Sequence, residues 1–191
     1  MNEGRRRRVF LVTFYLFLIF IFFAARPHAV QRLVYPFYYR EMILDEAEKH
    51  DQDPRLIAAI IWVESRFKDH ALSSKGAMGL MQIMPSTGSW AAEIVNLELQ
   101  EMEELLEPRV NIALGTWYFN NLLQLFDGNV YAALAAYNGG QGHVSGWLKA
   151  GTWDGSLENV EAIPFPETRQ FVMKVARTYE HYKELYCCIA E

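Results

Sequence analysis

The first residue of chemical interest is Glu64, a carboxylic acid at the end of an otherwise apolar run. It follows Ile60-Ile61-Trp62-Val63 directly and precedes Ser65. Apolar neighbours exclude water from a carboxyl group, disfavour its ionised form and so raise its pKa. A carboxyl group that keeps its proton near neutral pH suits general acid catalysis. The alternative is that Glu64 lies at the edge of a helix and points into water.

A segment rich in glycine and methionine follows Glu64 and has an unusual composition for a simple connection. Residues 76–85 read Gly-Ala-Met-Gly-Leu-Met-Gln-Ile-Met-Pro. Its glycines allow close backbone approach or a positive φ, and the amide of Gln82 is both a donor and an acceptor. Met81 and Met84 offer adaptable apolar walls. Just before this segment, Ser73 carries a hydroxyl that could orient a carboxyl group.

A phenol and an amide lie together at the end of a later, alanine-rich segment. Tyr137 and Asn138 precede the pair Gly139-Gly140, which ends a predicted helix. Aromatic faces and polar side chains around one acid are typical of carbohydrate sites, because sugars present both hydroxyl groups and apolar C–H faces. The sequence therefore favours a sugar as the ligand of these residues.

The sequence argues against several other kinds of site. The five histidines and two cysteines show no spacing typical of metal ligands. The chain has neither a Gly-x-Ser-x-Gly nucleophile turn nor a glycine-rich phosphate loop followed by lysine. Residues 27–191 hold 13 basic and 22 acidic groups, a net charge of −9, which argues against a nucleic-acid partner. We expect neither a metal nor another cofactor.

Four spaced blocks resemble the catalytic domain of the soluble lytic transglycosylases, which are lysozyme-like and related to goose lysozyme. The blocks are, in chain order, Glu64-Ser65-x-Phe67, Gly79-Leu80-Met81-Gln82-Ile83-Met84-Pro85, Ala136-Tyr137-Asn138 and Ile163-Pro164-Phe165-Pro166-Glu167-Thr168-Arg169. The likeness extends over roughly residues 45–180. It implies an all-α, lysozyme-like fold and an enzyme that cuts the glycan strands of peptidoglycan.

The resemblance also implies roles for individual residues. Glu64 would be the single catalytic acid and base, with Ser73 orienting an acetamido or carboxyl group near it. The implied substrate-binding residues are Ser73, Gln82, Met84, Tyr137, Asn138 and Glu167. Glu167 would lie in the floor of the cleft, unless it is simply an acid favoured at the start of a helix. The family usually has tyrosine where Phe171 stands, so a hydrogen bond would be lost there although the ring can still pack.

The implied reaction breaks the β-1,4 bond between N-acetylmuramic acid and N-acetylglucosamine and forms a 1,6-anhydromuramoyl end. One carboxyl group suffices, because the sugar's own 6-hydroxyl is the nucleophile, whereas ordinary glycosidases use two carboxylates. Two alternatives stay open: a hydrolytic muramidase of the goose-lysozyme type, and a catalytically inactive, membrane-tethered module that binds glycan.

Helices must position these residues, because the segments after residue 37 show helical and not alternating periodicity. Leu56, Ile57, Ile60 and Ile61 recur at helical spacing in a helix expected to begin at Asp53-Pro54 and to end near Phe67. Other helices are expected over 38–49, 129–138, 143–150 and 167–186, with a long one opened by Pro108 and a short one around Trp90. The whole is predicted to be one all-α domain over residues 38–188. Core packing is expected of Trp90, Trp117, Trp147 and Trp153.

The N-terminal region differs from the rest of the chain. Val9–Ala25 is seventeen residues long, all but one of them apolar, and Arg5–Arg8 precede it. Basic residues stay on the cytoplasmic side when an apolar segment enters the bilayer. We therefore expect a cytoplasmic segment over residues 1–8, a transmembrane or signal-anchor helix over 9–25 and a tether over 26–37. The domain would then lie on the extracytoplasmic side of the cytoplasmic membrane, or be secreted if the segment is a cleaved signal peptide.

Overall fold

The structure is a computed structural model that describes residues 3–24 and 27–187. The chain divides into two units, the first of which ends at Phe37 and the second of which begins at Tyr38. The end of the predicted anchor at residue 25 and the end of the predicted domain at residue 188 lie outside the described residues.

The first unit consists of helices. Helix α1 runs over Glu3–Ala24 and helix α2 over Pro27–Val34, so the segment predicted to be a tether contains a helix of its own. Proline suits the first position of α2, because the backbone N–H there has no partner within the helix. Of the helices in the described part of the chain, none combines the length and the hydropathy that a membrane-spanning segment needs.

The second unit, over its described residues, is built from helices joined by loops. Its helices are α3 (Arg40–Lys49), α4 (Pro54–Glu64), α5 (Pro85–Ile94), α6 (Pro108–Leu125), α7 (Val130–Gly139), α8 (Gln141–Lys149) and α9 (Pro166–Leu185). Short 3-10 helices cover Met102–Leu106 and Val160–Ala162. Within residues 38–187 there is no strand, and isolated bridges join Leu72 to Met78 and Met78 to Ile83. The all-α prediction is confirmed.

Helix α4 is the centre of this unit. The side chains of Leu56–Ile61 are buried on every face of the helix, which explains why this stretch of the sequence is continuously apolar. Asp53 caps the first turn by accepting a hydrogen bond from the backbone N–H of Arg55 over 2.8 Å. The start of the helix is therefore the one that the Asp-Pro pair predicts.

Helices α4 and α9 lie antiparallel. The hydroxyl of Tyr179, in the C-terminal half of α9, donates a hydrogen bond to Asp53 at the start of α4 over 2.7 Å. Both helices advance by about 1.5 Å per residue from this contact, in opposite directions along the chain. The end of α4 at Glu64 therefore comes close to the start of α9, where Glu167 lies within electrostatic reach of it.

Helix α4 ends three residues earlier than the sequence predicts. It stops at Glu64, and the hydroxyl of Ser65 donates to the carbonyl of Ile61 over 3.2 Å. Arg66 and Phe67 have φ values of +56° and +60°, in the left-handed region. Phe67 is buried and so extends the apolar pattern, but it reaches the core from a turn. Glu64 is thus the last residue of the helix, where the chain changes direction.

The loop that follows is held by Asn111, a fully buried amide in α6. Its Nδ2 donates to the carbonyl oxygens of Met78 and Leu105 over 2.9 and 2.6 Å, and its Oδ1 accepts from the N–H of Met81 over 2.7 Å. Gly79 passes so close, with a φ of +76°, that a Cβ there would collide with this amide. Because buried backbone groups need partners, Asn111 determines the path of the loop.

We call the three hydrogen bonds of the Asn111 side chain the Asn111 clamp. Replacing the amide tests whether this clamp holds the loop. Asn111→Leu should lower the free energy of unfolding by about 3 kcal/mol, because three backbone groups each lose a partner worth about 1 kcal/mol. Urea unfolding followed by circular dichroism measures the change. Asn121→Leu, half-buried on the same helix, is the control and should alter stability by less than about 1 kcal/mol. Equal small losses in both variants would show that the loop does not depend on Asn111.

Candidate active site

The carboxyl group of Glu64 lies half-buried at the C-terminal end of α4. Burial, followed by the negative charge of Glu167, raises the pKa of Glu64 from its ordinary 4.5 to about 8. Both causes disfavour the ionised form. The side chain does lie at the end of the helix, but it is half-buried and so is not surrounded by water. This carboxyl group holds its proton at neutral pH and can act as a general acid.

Helix α7 places Tyr137 near Glu64. Its hydroxyl donates to the carbonyl of Met81 over 2.7 Å, and its ring stacks on that of Phe171 with centroids 6.3 Å apart. Burial, and then the charge of Glu64, raises the pKa of Tyr137 well above its usual value. The phenol therefore lies in the electrostatic neighbourhood of Glu64. Phe171 packs through its ring, as expected, without the hydroxyl that the family usually has at this position.

Two of the predicted binding residues use their side chains within the loop itself. The hydroxyl oxygen of Ser73 accepts from the backbone N–H of Ala77 over 2.9 Å. Nε2 of Gln82 donates to the carbonyls of Ala71 and Gly79 over 3.1 and 2.9 Å. The hydroxyl hydrogen of Ser73 and the Oε1 of Gln82 take no part in these contacts. The two side chains can thus shape the loop and still offer one polar group each to a ligand.

Asn138 and Met84 occupy different parts of the surface near this loop. Oδ1 of Asn138 accepts from the hydroxyl of Thr168 over 2.9 Å, which joins the end of α7 to the first turn of α9. Met84 directly precedes α5 and is 40% exposed. The thioether of Met84 is accessible to a ligand, whereas the carbonyl oxygen of the Asn138 amide is already engaged in holding two helices together.

Glu167 lies in the first turn of α9, and its side chain is 71% exposed. Its carboxylate forms an ion pair with Nζ of Lys75 at 2.9 Å, which connects the loop after α4 to α9. Its charge also acts on Glu64. Glu167 is therefore an acid at the start of a helix and, at the same time, one of the charged groups around Glu64.

The four tryptophans predicted to pack in the core lie in different environments. Trp153 is buried, as expected of a core residue, whereas Trp90 is 41% exposed, so the prediction that it packs in the core is wrong. Helix α5 buries a face made of small residues, which are Gly88, Ala91 and Ala92. Those small residues allow α5 to approach its neighbours closely, and Trp90 projects from another side of the helix. The remaining two, Trp117 and Trp147, are half-buried.

Two residues near the site were not identified from the sequence. Asn111 is a polar residue between the apolar Val110 and Ile112 in a helix, and a polar residue on a buried helical face was a signal that could have revealed it. Lys75 left no comparable signal, because its partner Glu167 lies 92 residues further along the chain.

An all-helical domain with a half-buried carboxyl group at the end of its central helix is the arrangement expected from the resemblance to the lysozyme-like transglycosylases. Comparison with protein families agrees, since the family described as Transglycosylase SLT domain matches residues 41–158. The chain belongs to this family.

Curated relatives include both soluble and membrane-bound proteins. The soluble lytic murein transglycosylase of Salmonella typhimurium (strain LT2) is 36% identical over 152 residues, which are 78% of this chain and 23% of the relative. The membrane-bound lytic murein transglycosylase C of Edwardsiella ictaluri is 30% identical over 178 residues, 77% of this chain and 47% of the relative. The chain therefore spans less than half the length of either relative.

Among solved structures, an inactive mutant of the lytic transglycosylase Slt from Pseudomonas aeruginosa superposes with a TM-score of 0.74 at 36% identity. The match covers 80% of this chain and 25% of that one. A similarity of this size at this identity supports the same lysozyme-like fold.

The raised pKa of Glu64 can be tested without any assay of activity. Between about pH 5 and pH 8 the folded protein retains a proton that the unfolded chain releases, so its free energy of unfolding falls as the pH rises. Glu64→Gln removes this contribution and should reduce the loss over that range by about 2 kcal/mol, less than the full linkage value because the side chain is partly solvated. Urea unfolding of variant and parent at both pH values measures the difference.

The matched control for this titration is Glu98→Gln, because Glu98 is exposed. It should change the free energy of unfolding by a similar small amount at both pH values. The same pH dependence in the Glu64→Gln protein as in its parent would mean that the carboxyl group titrates as an ordinary glutamate.

Proposed function

We propose that this chain is a peptidoglycan lytic transglycosylase in which Glu64 is the single catalytic acid and base. The observation that carries the proposal is the carboxyl group of Glu64, held at the end of α4 with a pKa of about 8. A carboxyl group protonated at neutral pH is what proton donation to a glycosidic oxygen requires. Membership of the transglycosylase SLT family and the names of the relatives, which act on murein, support the substrate class.

In the proposed reaction, Glu64 donates its proton to the oxygen that joins N-acetylmuramic acid to N-acetylglucosamine. The C1–O bond breaks, its electron pair leaves with the oxygen, and the acetamido group of the muramic acid stabilises the positive charge at C1. The Glu64 carboxylate then takes the proton of the 6-hydroxyl of the same sugar, and that oxygen attacks C1. A 1,6-anhydromuramoyl end forms, and Glu64 is protonated again.

The surroundings of Glu64 suit both halves of this reaction. A desolvated carboxyl group is an effective donor near pH 7 because its pKa is close to that pH. After donation, the same desolvation makes the carboxylate a stronger base toward the sugar hydroxyl. One group can therefore serve in both steps without a second carboxylate.

The glycan strand would lie against the loop after α4 and the adjoining ends of α7 and α9. Along this surface we assign Ser73 to orient an acetamido or carboxyl group and Gln82 to accept a hydrogen bond through Oε1. Met84 would provide an exposed apolar wall. The assignment is completed by three residues grouped at the ends of α7 and α9, namely Tyr137, Asn138 and Glu167.

A second candidate is a hydrolytic muramidase of the goose-lysozyme type, and the position of Glu167 favours it. Its carboxylate is near enough to raise the pKa of Glu64, and inverting hydrolases use a second carboxylate to activate water. The ion pair with Lys75, however, already engages that carboxylate. Transglycosylation through Glu64 alone therefore fits the arrangement better.

Digestion of purified peptidoglycan distinguishes these functions. Glu64→Gln should lower the rate of cleavage by at least about 1,000-fold, because it removes the only proposed proton donor. Glu98→Gln, an exposed control, should retain the full rate. Mass spectrometry of the products should find anhydromuramoyl ends.

Each of the other possible outcomes of the digestion supports a different conclusion about the function. Reducing ends would establish the hydrolytic candidate. Binding of peptidoglycan by the wild-type chain without any cleavage would identify a catalytically inactive glycan-binding module. Undiminished cleavage by Glu64→Gln would overturn the assignment of this residue.

We further propose that the N-terminal segment is a single-pass anchor that holds the domain on the extracytoplasmic side of the cytoplasmic membrane. The support comes from the sequence: Val9–Ala25 is apolar in all but one position and follows Arg5–Arg8. Its length reaches the lower bound of about 17 residues for a spanning helix, and the arginines favour a cytoplasmic N-terminus. The name of the Edwardsiella relative, a membrane-bound protein, is consistent with this placement.

Charges placed in the apolar segment test the anchor. The double variant Phe14→Arg, Phe17→Arg should leave the membrane fraction, because each arginine near the centre of a spanning helix adds about 2.5–3.5 kcal/mol to insertion. Cell fractionation followed by alkaline carbonate extraction measures the distribution. The control variant Phe14→Leu, Phe17→Leu should stay with the membranes. A full-length wild-type chain in the soluble fraction would exclude the anchor, and a shortened one would identify a cleaved signal peptide.

A further inference from the structure

Helix α2 has an exposed apolar face. Val30, Leu33 and Val34 recur at helical spacing along one side of the helix, and the polar Gln31 and Arg32 fall away from that side. Leu33 is 77% exposed and Val34 is 54% exposed. A contiguous apolar surface left in contact with water indicates a surface that binds a partner.

The position of α2 in the chain relates this face to the proposed anchor. The apolar segment proposed to span the membrane ends at Ala25, and α2 begins at Pro27. Two residues of extended chain reach at most about 7 Å. The headgroup layer on each side of a bilayer is itself about 5 Å or more in thickness. A chain held by this anchor therefore begins α2 in or directly beside the headgroup layer.

The residues after α2 are of the types found where membrane meets water. Tyr35 and Phe37 are half-buried aromatic residues on either side of Pro36. Tyrosine is enriched at this boundary because its ring is apolar and its hydroxyl group is polar. A short helix with one apolar face and aromatic residues beside it is suited to lie in the plane of the interface.

The distribution of charge favours an anionic lipid surface as the partner. Residues 26–37 contain Arg26 and Arg32 and no acid, whereas residues 38–191 hold 12 basic and 22 acidic groups, a net charge of −10. An anionic bilayer attracts a basic residue at its surface by about 1 kcal/mol. Two copies of a positively charged segment would instead repel each other, so lipid fits this face better than a second copy of the chain does.

We propose that α2, together with Tyr35 and Phe37, is an interfacial segment that lies in the headgroup layer of an anionic bilayer. The apolar face around Leu33 enters the hydrocarbon boundary, and Arg32 meets the phosphate groups of the lipids. The proposal rests on the proposed anchor, which brings α2 to the bilayer, and adds a second contact with the membrane to it.

This placement limits how far the domain extends into the wall. Residues 26–37, as a fully extended tether, would span about 40 Å. With α2 in the interface, only Tyr35–Phe37 separate the helix from Tyr38, and three extended residues span about 10 Å. The reach of the domain from the membrane is thereby shortened by about 30 Å, which restricts its substrate to glycan near the membrane.

Hydroxyl-radical footprinting of the full-length chain in lipid nanodiscs measures whether lipid covers α2. The discs consist of equal parts of phosphatidylcholine and phosphatidylglycerol and hold a single protein chain each. Leu125, at the end of α6, is 50% exposed and provides the internal reference. Leu33 is the more exposed of the two in the structure, yet in the disc it should be oxidised about fivefold more slowly than Leu125, because its side chain is covered by lipid.

Two results of the footprinting would overturn the proposal. One is oxidation of Leu33 in the disc at the rate of Leu125 or faster. The other is protection of Leu33 only in discs that hold two or more chains, which would identify a second copy of this chain as the partner of α2.

A titration with vesicles of the same lipids separates α2 from the anchor. It uses the full-length Phe14→Arg, Phe17→Arg protein, whose apolar segment should no longer insert. Adding Leu33→Gln and Val34→Gln should weaken vesicle binding by about tenfold or more, because two apolar side chains no longer enter the lipid boundary. Co-sedimentation measures the dissociation constants. The arginines at the N-terminus are common to both proteins, so the difference reports on α2.

The matched control changes another exposed pair of neighbouring apolar residues. Ile94 and Val95 at the end of α5 are 55% and 38% exposed, and Ile94→Gln, Val95→Gln in the same Phe14→Arg, Phe17→Arg protein should leave vesicle binding unchanged. Equal dissociation constants for the two pairs of glutamine substitutions would overturn the interfacial segment.

Failure of this proposal can be distinguished from failure of the anchor and of the enzymatic function. A wild-type chain that does not co-purify with the nanodiscs lacks the anchor, and the vesicle titration then decides the role of α2 alone. Digestion of dissolved peptidoglycan fragments should proceed at the wild-type rate in the Leu33→Gln, Val34→Gln protein. Loss of vesicle binding with retained cleavage by the wild-type and the variant chain would support both proposals, and absence of cleavage in the wild-type chain would overturn the enzymatic function alone.

Discussion

The enclosure of helix α4 is the constraint on which the rest of this domain depends. Because Leu56–Ile61 are buried all round, other helices must surround α4, and its polar groups can lie only at its two ends. Asp53 at the start is satisfied by Arg55 and by Tyr179. At the other end, burial and the charge of Glu167 both favour the protonated form of Glu64. The stability of the helix and the chemistry of its last residue have the same origin.

The antiparallel packing of α4 against α9 places the buried end of α4 beside the start of α9, and the candidate site lies there. The bond between Tyr179 and Asp53 aligns the two helices at one end, and Glu64 and Glu167 approach each other at the other. The loop between α4 and α5 closes a second side, held from α6 by Asn111 and from α7 by the hydroxyl of Tyr137. Four helices thus position one carboxyl group, and none of them could do so alone.

Keeping this carboxyl group out of water has an energetic consequence. A desolvated acid destabilises the folded state wherever the pH would ionise it, and the charge of Glu167 adds to that effect. The domain nevertheless has both groups, and the role proposed for Glu64 depends on the same desolvation that reduces stability.

The sequence alone determined the all-α class, the start of α4 at Asp53-Pro54 and the family, because each depends on residues close together in the chain or on fixed motifs. It did not determine the end of α4, because the buried ring of Phe67 continues the helical pattern from a left-handed turn. The Asn111 clamp, the Lys75–Glu167 pair and the exposure of Trp90 were decided by the tertiary structure. The clamp and the ion pair join positions up to 92 residues apart. The exposure of Trp90 depends on which helices pack beside α5. Local periodicity contains no information about contacts between distant residues or about the packing of helices.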